Sequence, residues 1–599
     1  MKIKLEFILI AILVVVSFGM RVVTINKDLP GADAYYHYSV LEQDIAKGKL
    51  DNINELDLCY GGHKGNHPIG FYAVPYFLSG FMGLKAAFLL TPAIVGVVSL
   101  LLAYYLLSLI FGERTAILSV FLIAVSMAHI FRSASTTYRG DNLIYPLMLL
   151  SLIFLLKSLT EKDLKIKIAY SMAAGLVSGL SAIMWNGYMV VIVVFAACLI
   201  FYLLYAYLKK QNIQHDLYSS TFALFAQLIT LKFIVNFFVF KEWGKAIDFA
   251  NNYYLQYFII PLFLFLAALG SYTFLIQKYN KNKFLRSKYS RFAPLTILLL
   301  IGVIVLLFKS GLLKNILTGF GSLIPSSSIA QAIDEIQATT FATIWSDYWI
   351  LSISSVLGLF FLFKHFDSKK SFFLGLLIPL AYMGLLSKRY TFLMSIPFIT
   401  LSGVLFSQLK GKYKKIPLKY FSVAIIFLVG FYSLNSMDSY FRTVVDEDMV
   451  EALRYFGDNT DEKSCLITTW TYGGHVQYYA KRHSYTSSVS LDLDRIKKAY
   501  IFLLTDKEPD FEQENLYLYV SEVYLGYLRS MNKIAGINNI DISPKKGYTC
   551  PYNSIRWGTL WLSDNLCNSN MIKMLNWEEI QGLKKVYAKN GNFIYKIAS

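Results

Sequence analysis

Three acidic residues and one arginine lie where hydrophobic runs meet polar loops. They are Asp33 in "GADAYYHYSVLEQD", Asp141 in "RSASTTYRGDNLIYP", Glu335 in "SIAQAIDEIQATTFATIWSD" and Arg389 in "LSKRYTFL". Ionisable groups at a membrane boundary are costly and usually functional. Carboxylates from separate loops suit Mg²⁺ or Mn²⁺, which prefer oxygen ligands and leave positions open for phosphate oxygens. The alternative for any single one of these acids is an ordinary solvated loop residue.

A second candidate site is the segment "TTWTYGG", which follows the β-rich run "SCLITTW". A strand followed by a glycine turn places Trp470 and Tyr472 at a strand end, where α/β layers often bind ligands. Ordinary core packing is the alternative for Trp470. Further on, "SDNLCNSNMIKML" predicts one helix with Asp564, Cys567 and Met571 on a single face, and the pattern alone favours a packed face.

The composition shows what must position these residues. The chain has 599 residues, of which 55% are hydrophobic and 16% charged, and this excludes an ordinary soluble globular protein. A spanning helix needs about 20 apolar residues. We predict about thirteen spans, at 5–24, 72–93 with 94–111 as a lead-in plus one helix, 115–132, 141–158, 168–185, 188–208, 217–240, 254–276, 291–309, 345–363, 371–386, 389–408 and 418–435. The first run is kept as a helix, because no cleavage site for a signal peptide follows it.

The net charge of +18 follows the membrane topology and does not indicate nucleic acid. Lysines and arginines cluster between alternate hydrophobic runs, as cytoplasmic loops do. If residue 1 is cytoplasmic, an odd number of spans puts residues 436–599 outside. The prediction is therefore a transmembrane catalytic domain, 1–435, with external loops 25–71 and 310–344, and an external mixed α/β domain, 436–599.

Asp33, Asp141, Glu335 and Arg389 then all lie on the external face, beside the soluble domain. The loop that carries Glu335 is long for a compact protein, which is typical of a functional lid, and Glu335 would join the site when that loop closes. The cysteines show no paired spacing for zinc or redox chemistry. The sequence does not decide whether two of Cys465, Cys550 and Cys567 form a disulfide.

Taken together, these residues resemble the catalytic subunit of oligosaccharyltransferase in its single-subunit form, with a divergent archaeal member as the expected origin. The resemblance covers nearly the whole chain and implies a C-type glycosyltransferase-like membrane fold. It makes Asp33 and Glu335 catalytic, Asp33, Asp141 and Glu335 metal ligands for Mn²⁺ or Mg²⁺, and Arg389 a contact of the donor phosphate. Its WWDYG signature and terminal helix assign the acceptor to a larger group: Trp470, Thr471, Tyr472, Gly473, Asp564, Met571 and Ile572.

The implied reaction moves a glycan, with inversion, from a dolichyl phosphate or pyrophosphate to Asn in N-x-Ser/Thr, by one subunit in a lipid bilayer. Three departures from the family pattern matter. Thr469 and Thr471 replace a Trp and an Asp of the signature, Cys567 replaces a Lys, and the acidic partner of Asp141 is replaced by Arg139 or Leu143. The alternatives are another polyprenyl-phosphate sugar transferase, such as a protein O-mannosyltransferase, and a polytopic transporter or flippase.

Overall fold

The fold is known from a computed structural model. It describes residues 5–23, 29, 32–51, 53–59, 61–64, 67–135, 137–209, 211–238, 262, 266–267, 269–271, 338–364, 366–409, 418–440, 447–490, 492–511, 513–537, 542–543, 550–554 and 558–598. Glu335, most of the loop 310–344 and the predicted span 291–309 lie outside these residues. Only a few positions of the predicted span 254–276 fall within them.

Helices dominate the first part of the chain, because in lipid a helix satisfies every backbone polar group internally. They are α1 (Leu5–Val22), α2 (Ala32–Lys47), α3 (Ile69–Met82), α4 (Leu84–Phe111), α5 (Glu113–Val125), α6 (Met127–Ser133), α7 (Gly140–Thr160), α8 (Leu164–Leu180), α9 (Met189–Leu208), α10 (Gln214–Phe238), α11 (Phe341–Tyr348), α12 (Ile350–Lys364), α13 (Ser368–Leu386), α14 (Thr391–Leu409) and α15 (Leu418–Tyr440). Within the described residues, seven helices are long and apolar enough to cross a membrane, or up to nine if each bent pair counts once. The protein is therefore a multi-pass membrane protein, and the number thirteen stays a prediction.

Three breaks in these helices differ from the predicted spans. Gly83, with φ of 77°, separates α3 from α4, so the lead-in is a helix of its own that ends at Met82 instead of the predicted residue 93. The α5–α6 pair bends by 63° and the α11–α12 pair by 95°. The first bend redirects α6, which carries Arg132, out of the line of α5.

The C-terminal part is a mixed α/β domain, as predicted. Its helices are α16 (Glu447–Asp458), α17 (Leu493–Leu504), α18 (Leu528–Ala535), α19 (Asp564–Cys567) and α20 (Asn570–Leu575). After a short pair in the first loop, β1 (Ile53–Asn54) and β2 (His63–Lys64), its strands are β3 (Cys465–Ile467), β4 (His483–Ser484), β5 (Leu516–Ser521), β6 (Ile542–Ser543), β7 (Cys550–Ser554), β8 (Gly558–Leu562), β9 (Leu583–Lys589) and β10 (Asn592–Ile597). Five of them form a sheet in the order β4-β3-β5-β10-β9, parallel from β4 to β5 and antiparallel from β5 to β9, and β6-β8-β7 form a second sheet.

The prediction of one continuous helix near the C-terminus of this domain is wrong. The segment "SDNLCNSNMIKML" forms two short helices, α19 and α20, rather than one. The Ser569 hydroxyl accepts a hydrogen bond from the amide of Ile572, so a new N-cap begins where the periodicity predicted a continuous face. The helix in "DEDMVEALRYFG" and the strands in "SCLITTW" and "NFIYKIA" are confirmed.

Candidate functional site

Both described acids of the candidate site begin a helix. Asp33 lies in the first turn of α2 and Asp141 in the first turn of α7. The unpaired amides of a helix N-terminus favour a negative charge there. The two carboxylates differ in access, since the Asp33 side chain is 24% exposed and that of Asp141 is fully buried.

Three arginines surround these two carboxylates. The Arg139 guanidinium donates to Oδ2 of Asp33. Oδ2 of Asp141 lies 3.8 Å from Nε of Arg132 and 3.9 Å from Nε of Arg389. Arg389 itself belongs to the helical turn Lys388–Tyr390 just before α14. The structure thus brings Asp33, Asp141 and Arg389 into one region, and it adds two cations that the sequence alone did not assign to it.

Trp185 fixes the geometry between α7 and Arg389. The Arg389 guanidinium lies over its ring, 5.1 Å from the centroid. A Cβ on Gly140 would lie only 2.2 Å from Cδ1 of the same ring, so the residue before Asp141 must be glycine. This close approach explains why the chain has glycine at position 140, the first residue of α7.

Two histidines that the sequence analysis missed lie beside the acids. Burial, His37, Arg389 and Arg139 hold the pKa of His67 well below its usual range, and the nearby Asp33 opposes that shift. Burial and then Arg139 lower the pKa of His37 to about 3, and its Nδ1 lies 2.8 Å from the Tyr72 hydroxyl. No sequence signal marked these histidines, because neither belongs to a metal-ligand spacing.

The described residues fit a divalent cation poorly. Within the ranges given above, no group of three or more Asp, Glu, His or Cys side chains could hold a metal ion. One carboxylate is taken by a guanidinium, and the other is buried between two more. The third predicted ligand, Glu335, lies outside the described residues, so the Mn²⁺ or Mg²⁺ site stays a prediction.

The Trp470 segment forms a helical turn, Trp470–Tyr472, directly after β3, as the strand–turn pattern predicts. Trp470 and Thr471 are partly exposed, whereas Tyr472 is buried and stacks on Tyr524. The hydroxyls of Thr469 and Thr471 lie 3.0 Å apart. The exposed surface of the turn therefore presents the indole of Trp470 and the neutral side chain of Thr471, where the family signature has an Asp carboxylate.

Gly473 and the terminal helices have mainly packing roles in this structure. A Cβ on Gly473 would lie 1.9 Å from the carbonyl oxygen of Thr486, so the chain needs glycine there to pass another backbone. Met571 and Ile572 are buried in the core of the C-terminal domain, whereas Asp564 is exposed. Their predicted contact with an acceptor stays a prediction.

The first loop is bound tightly to the C-terminal domain. A disulfide joins Cys59 to Cys465 in β3, a pairing that the sequence analysis did not consider. Asp57 is buried and accepts hydrogen bonds from the hydroxyls of Ser484 at 3.1 Å and Ser487 at 2.8 Å. Nδ2 of Asn54 donates to Oε1 of Gln477 at 2.9 Å. These bonds hold α2, and with it Asp33, next to the Trp470 turn.

His475 makes this interface sensitive to acid. Its ring lies 4.1 Å from that of Tyr35 in α2, and burial lowers its pKa to about 3. Because the folded-state pKa lies below the unfolded value of about 6.5, the neutral histidine stabilises the fold fully above pH 6.5 and this contribution is lost as the pH falls towards 3. At pH 5 we expect a loss of roughly 2 kcal/mol. The unfolding temperature of the wild type should therefore fall more between pH 7 and pH 5 than the unfolding temperature of His475→Gln. Equal decreases in the two proteins would contradict the role of His475 as the acid-sensitive residue.

Comparisons with known proteins show the family and the fold of this chain. The family model described as "Oligosaccharyl transferase STT3, N-terminal" matches residues 4–382. The dolichyl-phosphooligosaccharide-protein glycotransferase 2 of Pyrococcus furiosus is 26% identical over 490 residues, 76% of this chain. The chain spans only 62% of that relative's length.

Two structures of the Archaeoglobus fulgidus oligosaccharyltransferase share the fold. One, in complex with an inhibitory peptide and a dolichol-phosphate, has a TM-score of 0.77 at 16% identity and covers 98% of this chain and 79% of that one. The other, tethered to an acceptor peptide containing the NVT sequon, has a TM-score of 0.74 at 15% identity and covers 98% and 79%. Since the family model matches more than half of the residues, the chain belongs to the STT3 family of oligosaccharyl transferases.

Proposed function

We propose that the protein transfers an oligosaccharide from a dolichyl phosphate or pyrophosphate to the side-chain amide of Asn in N-x-Ser/Thr acceptors. The observation that carries this proposal is the docking of α2 on the C-terminal domain. It holds Asp33 next to the Trp470 turn of β3, with Arg139 in contact with that carboxylate. This reaction needs three kinds of group. A carboxylate binds the acceptor amide, guanidiniums bind the donor phosphate, and a partly exposed aromatic turn binds the acceptor peptide.

In the proposed reaction the amide nitrogen attacks the anomeric carbon of the sugar. The C–N bond forms as the C–O bond to phosphate breaks, the phosphate keeps the bonding electron pair, and the configuration inverts. Asp33 accepts a hydrogen bond from the amide N–H and takes its proton. Arg389 makes a charge-assisted contact with the leaving phosphate. Glu335, if its loop closes over the site, binds the second N–H.

The acceptor peptide lies against the open side of the Trp470 turn. Trp470 and Thr471 offer apolar surface and one hydroxyl to the residue two positions after the acceptor Asn. The site faces the outside of the cell in this proposal. The Cys59–Cys465 disulfide supports that orientation, because structural disulfides persist mainly in oxidising compartments.

The experiment that tests the function is peptide glycosylation by the purified full chain in detergent. The donor is lipid-linked oligosaccharide extracted from the native membrane, and Asn-x-Thr and Gln-x-Thr peptides of the same sequence are compared by mass spectrometry. We expect a glycan-sized mass shift on the Asn peptide alone. If the donor is confirmed present and the Thr hydroxyl is modified instead, the protein is an O-glycosyltransferase. If neither peptide is modified, the proposal fails.

A further inference from the structure

In the part of the site that the structure describes, both carboxylates lie beside guanidiniums. Two carboxylates, those of Asp33 and Asp141, face three guanidiniums, those of Arg132, Arg139 and Arg389. A divalent cation placed among them would lie close to these guanidiniums. In a partly buried site such like charges repel strongly.

Arg139 replaces a possible metal ligand through its position. It lies two residues before Asp141, the spacing at which a second acid would give a pair of oxygen ligands. A guanidinium has five N–H donors and no lone pair to give to a metal. It also donates to Oδ2 of Asp33, so it both removes one ligand and occupies the oxygen of another.

Asp141 also lies next to two cations. Its carboxylate is fully buried between Arg132 and Arg389, and its Oδ1 accepts a hydrogen bond from the amide of Asn142 at 3.0 Å. A cation that binds Oδ2 would lie close to the Nε atoms of both arginines, and like charges this near to one another repel. Arg139, by contrast, is 27% exposed, so it can meet a ligand that enters the site.

We propose that Arg139 is a built-in cation that occupies Asp33 and takes the electrostatic place of a divalent metal ion at this site. The inference rests on the proposed function for the identity of the phosphate that Arg139 faces. The claim that Arg139 lowers the affinity of the site for a metal ion does not depend on that function. Arg139 acts through Asp33 as a positioning residue, and its positive charge, like that of Arg389, is close enough to act on His67.

The test is Mn²⁺ binding to the purified full chain, followed by the electron paramagnetic resonance signal of free Mn²⁺. We expect no saturable site in the wild type or in Arg139→Lys. Arg139→Asp should gain a saturable Mn²⁺ site, and the added change Asp33→Asn should remove it. Tight binding by the wild type that is lost in Asp33→Asn would overturn the inference. So would the absence of any gain in Arg139→Asp, provided that its thermal unfolding matches the wild type; if it does not fold, the wild-type measurement decides.

Glycan transfer gives a separate readout. Wild-type transfer should be unchanged by EDTA, should fall in the neutral variant Arg139→Gln and should be largely restored in Arg139→Lys. A wild-type activity that EDTA abolishes contradicts the role of Arg139 while leaving the proposed function intact. If no peptide is modified under any condition, the proposed function fails, and the Mn²⁺ binding data still decide the role of Arg139.

Discussion

Replacing Asp33 with Asn is expected to reduce glycan transfer by roughly 10²–10⁴-fold, the usual effect of removing a positioned acid or base. The amide nitrogen of the acceptor is a poor nucleophile because its lone pair is delocalised, so it depends on a carboxylate to bind its N–H and take its proton. Asn keeps the size of the side chain and removes both the charge and the basicity. The measurement is the initial rate of peptide glycosylation at saturating donor.

The matched control lies in the same helix. Glu42 is in α2 and forms an exposed ion pair with Lys481, which contributes little, so Glu42→Gln should leave the rate within about twofold. Asp33→Asn also leaves Arg139 without its carboxylate, and the double variant Asp33→Asn with Arg139→Gln separates that effect. If Asp33→Asn transfers glycan at nearly the wild-type rate, Asp33 is not the base and the assignment fails.

The sequence predicted those parts of the site that depend on local chemistry. Asp33, Asp141 and Arg389 were visible because charged residues at the ends of apolar runs are rare, and the strand before Trp470 was visible from its β-branched and apolar residues. The sequence analysis missed the break between α19 and α20, because the helical periodicity continues through Ser569. In the structure Ser569 is the N-cap of a new helix, and this local hydrogen bond ends the continuous face that the periodicity predicted.

Contacts between distant segments could not be predicted from one sequence. The Arg139–Asp33 pair joins residues 106 positions apart, and the Cys59–Cys465 disulfide joins residues 406 positions apart. Neither pair has a local signature, since each exists only because α2, α7 and β3 converge in the fold. The sequence therefore pointed to Asp33 and Asp141 as candidates but not to the guanidinium that faces one of them.

Removing the Cys59–Cys465 disulfide is expected to cost about 2–4 kcal/mol, the usual range for a structural disulfide. The bond closes a very long loop, so its loss enlarges the freedom of the unfolded chain. In the folded protein it also ties the first loop to β3, three residues upstream of the Thr468–Thr469 segment that leads into Trp470. The double variant Cys59→Ser with Cys465→Ser should unfold at a clearly lower temperature than the wild type.

The same double variant should also raise the KM for the acceptor peptide, because Asp33 and the Trp470 turn belong to the two segments that the bond connects. A suitable control is Cys198→Ala, which removes the free buried cysteine of α9 without touching a disulfide and should leave the KM for the peptide at its wild-type value. The hydrogen bonds of Asp57 to Ser484 and Ser487 remain in the double variant, so we expect a weakened interface rather than a detached loop. An unchanged unfolding temperature together with an unchanged KM would mean that these polar contacts alone align the two halves of the site.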